Sequence, residues 1–334
     1  MPPLKTLHDQ LADFSDPRSQ CFLCGADLRN REATSEHVIP VWAQRRFELW
    51  DQHLTLLNGT SIAYRALTVP CCADCNNYRL KPLEDSFAAT VDVGRDAVLQ
   101  LGPKTLFLWL GKIFYGILYK ELMLLADRAD PTSGSVITAE FIERYRMHRF
   151  FLQQARELVE LKDFYPGSIF VFNAQRLRKP KMCWDLVDNV DTLFIGVRVG
   201  GTALLAAMAD GGAQQYEEAT YEDFFSLRLH PLQFRELCAR ISYRSMTATR
   251  TPKYIITSAS RHVAYQMPLG GLSAKPLFED FDPETYAAIL GLYTGQPLEQ
   301  IYQRPRVMTW LRDNDGRVCY MDFEKFPFLN FEPL

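Results

Sequence analysis

The chain lacks any long uninterrupted apolar run. Its most apolar stretch, Thr105 to Tyr119, is shorter than the ~20 residues of a membrane helix, contains Lys112 and is followed by Lys120 and Glu121. That stretch is expected to be a buried core helix, and no membrane partner is expected. Nor is there an apolar h-region behind Met1-Pro2-Pro3-Leu4-Lys5, which argues against a signal peptide and for a cytoplasmic location. A basic excess is missing too. The 37 Lys and Arg against 40 Asp and Glu leave a net charge of -3, so any nucleic-acid contact must come from local patches. Internal repeats and low-complexity tracts are absent. Residues 101–334 carry no phosphate loop, dinucleotide fingerprint or second metal cluster.

What is present suits a globular protein. The 334 residues are 47% hydrophobic and 23% charged, enough for one large domain or two ordinary ones. Residues 1 to about 20 read as a short polar helix and a linker, with Asp16-Pro17 as a break. A helical pattern begins at Pro82. Pro103 suits the first turn of a helix reaching about Asp127, and a second long helix is expected from Thr138, as N-cap, to Lys162. Ser168 to Phe172 and Leu193 to Val199 look like strands, and Gly200-Gly201 is a hairpin signal that returns the chain as Thr202 to Met208. A helix over His230 to Met246, a strand over Lys253 to Thr257 and a helix over Pro283 to Gly295 complete the reading. The expected class is α+β: a small metal module over residues 1–100, then a larger domain of long helices and a mixed sheet over residues 101–334.

Four of the eight cysteines form two Cys-x-x-Cys pairs, Cys21/Cys24 and Cys72/Cys75. Each such knuckle points two thiolates at one ion, and two knuckles make a closed four-thiolate site for structural Zn²⁺. A zinc of this kind contributes on the order of 10 kcal/mol or more to folding a small module. Cys71 adjoins the second knuckle and is an alternative to Cys72, although the two-residue spacing favours Cys72. Cys183, Cys238 and Cys319 are isolated and read as buried small hydrophobes.

Between the knuckles lies Glu36-His37-Val38-Ile39-Pro40, and Asn76-Asn77-Tyr78-Arg79 follows the last cysteine. Over residues 15 to 90 this combination resembles the HNH endonuclease family, the ββα-metal nucleases with a four-cysteine clamp. The resemblance implies an acid-His pair on a hairpin and an Asn on the following helix. By that likeness His37 is the general base, and Glu36 and Asn76 hold a catalytic Mg²⁺ or Mn²⁺, with Asn77 as a fallback if the helix phase differs. Hydrolysis of a phosphodiester needs a base for water and a cation on the phosphate, and an imidazole and a hard ion on oxygen ligands supply them. The family's middle Asn has no clear counterpart. Asn58 is a candidate, or else the turn residue of Asn58-Gly59. His53 matches no motif position and reads as structural; His8, His148, His230 and His262 belong to no recognisable site.

Arg45, Arg46, Arg79 and Lys81 flank the motifs and are candidate phosphate contacts. The runs Arg144 to Arg149 and Arg176 to Lys181 are either solvated faces or further contacts. Three functions stay open: a metal-dependent DNA endonuclease, a zinc-stabilised nucleic-acid or protein binding module that does not cut, and an RNA-directed nuclease. The family likeness makes bacterial defence against foreign DNA an attractive setting. Residues 101–334 would then choose a target, sense a signal ligand or bind a protein partner.

Overall fold

A computed structural model describes residues 17–137, 150–157, 159–162, 166–250, 252, 255–258, 263–266 and 276–327. The expected N-terminal helix, the proposed cap Thr138, the basic run 144–149 and His8, His148 and His262 lie outside these residues.

In chain order the elements are β1 (Ala33–His37), α1 (Val41–Arg46), β2 (His53–Thr55), β3 (Ser61–Ala63), β4 (Thr68–Cys72), α2 (Lys81–Val91) and α3 (Gly102–Glu121). There follow β5 (Val159–Lys162), β6 (Ser168–Ala174), β7 (Trp184–Asn189), β8 (Phe194–Val199), β9 (Thr202–Ala207) and β10 (Arg228–Leu229). The last are α4 (Pro231–Met246), β11 (Ile255–Ser258), β12 (Val263–Gln266) and α5 (Pro283–Thr294), besides helical segments of eight residues or fewer and a hairpin of two-residue strands. The class is α+β.

Contacts divide the chain into two compact units that interleave in sequence. The first takes residues 1–88, 104–164 and 254–268; the second takes 89–103, 165–253 and 269–334. The division differs from a single boundary near residue 100, because almost all of α3 packs with the cysteine module. Phe87 of α2 stacks on Trp109 of α3 with ring centroids 3.7 Å apart. Gly116 of α3 sits so close to Val38 that a Cβ there would come within 2.8 Å of it.

In the first unit β1 and β4 pair antiparallel, Glu36 opposite Val69 and His37 opposite Thr68. β2 and β3 form a hairpin, and β12 pairs antiparallel with β11 and parallel with β5. The C-terminal part of the expected helix from 138 to 162 is corrected here, residues 138–149 lying outside the described residues. Leu152–Arg156 is 3-10 and Glu157 turns left-handed at φ 59°. The chain then becomes β5, because Val159-Glu160-Leu161-Lys162 alternates apolar and polar and finds a partner strand.

The second unit is built on a sheet of order β10-β6-β9-β8-β7. The Gly200-Gly201 turn joins β8 to β9, with Gly200 at φ 62°. α4 covers the sheet with Phe234, Leu237 and Ile241 in the core, and α5 adds Tyr286, Leu290 and Tyr293. His230 caps α4 rather than beginning it, and Gly295 ends α5 in the left-handed conformation. Among the described residues no helix is long and apolar enough to cross a membrane.

Candidate functional site

The two knuckles meet. The Sγ atoms of Cys21, Cys24, Cys72 and Cys75 all lie within 4.8 Å of one another, and all four residues are buried. Four thiolates around zinc at Zn–S ~2.3 Å stand roughly 3.8 Å apart, so this buried group could hold zinc. The amides of Cys24 and Cys72 both point at Cys21 Sγ, at 3.5 and 3.4 Å. Cys71 is outside the group of four, yet its sulfur is 3.8 Å from that of Cys21. Cys183 and Cys238 are buried, and Cys319 is only partly so.

The second knuckle opens directly into a helix. Asp74–Leu80 is wound as a π-helix and passes without a break into α2, the Lys81 amide bonding back to the Asn76 carbonyl. This winding decides which asparagine faces the strands. Asn76 Nδ2 donates to Thr34 Oγ1 of β1 at 3.0 Å, and Thr34 in turn donates to the Cys71 carbonyl at 2.9 Å. Asn77 is exposed. The Thr34 bond uses the amide nitrogen of Asn76 and leaves its carbonyl oxygen for other partners.

His37 ends β1 half-buried, with its ring 6.0 Å from that of Trp50. Burial, and next the nearby Lys112 ammonium, hold its pKa below the ordinary imidazole value while Glu84 opposes them. The ring is therefore neutral at pH 7, the form that can accept a proton. Glu36 faces the other way. It is 5% exposed, and its Oε1 lies 2.5 Å from Lys112 Nζ. The same ammonium bonds Glu84 of α2 and the carbonyls of His37 and Val38, the last two at 2.6 and 3.2 Å. Burial disfavours the charge on Lys112, but the two carboxylates more than offset it and raise its pKa. One ammonium between two carboxylates leaves a negative excess. Burial and Glu84 accordingly push Glu36 up, against the pull of Lys112.

A hard divalent ion held by Glu36 and Asn76 needs an open carboxylate and room for its own waters. The buried, lysine-clasped Glu36 carboxylate does not fit that role as it stands. Lys112 and Glu84 are the residues that sequence reasoning missed. Their signal was the single cation inside the apolar run, since a buried lysine requires an acidic partner.

The other expected residues are scattered. Asn58 sits in the β2–β3 turn, where Oδ1 accepts from Thr60 and Nδ2 donates to the Leu125 carbonyl. His53 is in β2. Arg45 is exposed on α1, and Arg46 lies over the Trp42 ring at 4.9 Å. Arg79 pairs with Glu157 at 3.7 Å, and Lys81 with Asp85 one helical turn on at 2.8 Å. Beside β1 and β4 lies a groove of about 720 Å³ whose lining includes Arg18, Arg29, Thr68 and Lys120. Lys120 donates to the Ala66 and Thr68 carbonyls at 3.4 and 3.3 Å, and burial alone lowers its pKa. No family model, no curated protein and no solved structure matches this chain.

Proposed function

We propose that residues 15 to 90 form a zinc-stapled nuclease module of the HNH kind, which hydrolyses phosphodiester bonds of DNA with His37 as general base. One observation carries the reading. Two antiparallel strands and the helix opening at the second cysteine knuckle hold His37, Glu36 and Asn76 in one unit, Asn76 being bonded to the strand that bears His37. The held-neutral imidazole supports a base that takes a proton from water. The groove beside β1 and β4, with Arg18, Arg29 and Lys120 in its lining, supports a polyanionic substrate. Mg²⁺ or Mn²⁺ is the ion this kind of chemistry uses. With Glu36 clasped, no step is assigned to it.

The clasp of Lys112 on Glu36 favours a second reading, a zinc-stabilised nucleic-acid or protein binding module that does not cut. Incubation of supercoiled plasmid with Mg²⁺ or Mn²⁺, wild type beside His37→Ala and with zinc content checked in both, separates the two. The nuclease reading expects the variant to lose at least ~10²-fold in rate while keeping its zinc. Equal cleavage by both proteins rules out His37, and binding without cleavage by either favours the second reading. A single-stranded RNA substrate run in parallel tests whether DNA is the preferred polymer.

A further inference from the structure

We infer that the Glu36 site is a cation site closed by its own lysine: in the folded protein the ammonium of Lys112 is the resident cation, and no divalent ion binds Glu36. The inference concerns the cation alone and stands whether or not the module cuts.

The donor set is that of a cation cage. Two carboxylates, Glu36 and Glu84, and two backbone carbonyls, those of His37 and Val38, converge on one nitrogen. Oxygen donors of this kind suit a hard ion as well as an ammonium. The ammonium holds the position because it is tethered to a rigid helix. Lys112 is 1% exposed, and the helix that carries it is fixed on both sides. One turn later Gly116 lets α3 approach Val38, the residue after β1. Three residues earlier Trp109 stacks on Phe87, which stands three residues after Glu84 on α2. These two contacts bring all four oxygens to the lysine's reach. Withdrawal of the lysine would require α3 to leave the module or a buried charge to lose its partners. A divalent ion placed beside the ammonium would meet a like charge where solvent screening is weakest.

The test uses full-length, zinc-loaded protein and Mn²⁺ alone, with free Mn²⁺ followed by electron paramagnetic resonance. Wild type and Glu36→Gln should give the same titration, because Glu36 offers the ion nothing. Removal of the tethered cation in Lys112→Ala should create a saturable Mn²⁺ site, and the double variant Lys112→Ala/Glu36→Gln should lose it again. Should Lys112→Ala fail to fold, the length-matched Lys112→Met shows whether the cage itself or only its charge is needed. The comparison of wild type with Glu36→Gln requires no change at Lys112. Saturable binding by wild type that Glu36→Gln abolishes overturns the inference, as does a folded Lys112→Ala protein that gains no site. The readout is binding, so a failure here is distinct from a failure to cleave plasmid.

Discussion

At the scale of single residues, buried polar groups carry the chemistry that can be measured. His230 is fully buried at the start of α4. Its Nδ1 accepts the Leu232 amide at 3.1 Å while Nε2 faces the Phe326 carbonyl at 3.0 Å. An N–H on one side and a carbonyl on the other leave one neutral tautomer, with the proton on Nε2. Burial pushes its pKa from 6.5 down to about 4. The folded protein thus binds this proton more weakly than the unfolded chain. The contribution is complete above pH 6.5 and is lost as pH falls toward 4, roughly 3 kcal/mol in all. Urea denaturation across that interval should show the loss, and His230→Asn, which keeps a capping side chain, should flatten it. An unchanged profile in the variant assigns the pH dependence to another group. This residue was legible as a helix-start marker but not as a buried one, since its burial arises from chain nearly a hundred residues away.

Among elements, those with strong local patterns were readable. The Gly200-Gly201 hairpin, α3, α4 and α5 follow from periodicity and turn chemistry, which act over a few residues. The failures lie where partners are remote. β7 was missed because Asp185 and Asp188 spoil its strand signature. Asp185 is tolerated in a sheet because Arg235 of α4 meets it at 2.9 Å, a pairing absent from local sequence. The π-helix Asp74–Leu80 around Cys75 was equally hidden, although the choice of Asn76 over Asn77 depends on it. Helix contact gives a sharper test. Alanine usually stabilises an exposed helical glycine site by ~0.5–1 kcal/mol. At Gly116 the added methyl would meet Val38 at 2.8 Å, so Gly116→Ala should instead destabilise by about 1–3 kcal/mol. Chemical denaturation reads the sign directly, and a stabilised variant would mean that the strand end yields freely.

For the whole molecule, the cysteine pairs announced the buried four-cysteine cluster, but the extent of the unit around it was not readable. Which helix closes over a strand pair is decided by shape and by a buried charge, and neither has a sequence period. The prediction at this scale concerns zinc. Each unit has its own buried residues, and the four cysteines all belong to the first. Cys24→Ser, or a strong chelator, should abolish the calorimetric transition of the first unit while that of the second persists. Retention of both zinc and the full melting profile by Cys24→Ser would sink the four-thiolate assignment.

The interleaving of the units also sets a timetable for biosynthesis. All four clustered cysteines have been made once residue 75 is translated, and Lys112 follows soon after. The strand β5 has to wait for β12, about 100 residues later, and the whole five-stranded sheet of the second unit is translated in between. At ~5–20 residues per second the delay is roughly 5–20 s. A ribosome-bound chain can thus bring its four cysteines together and close the lysine over Glu36 well before the first unit is complete, whereas the second unit lacks α5 until after β12 has been made.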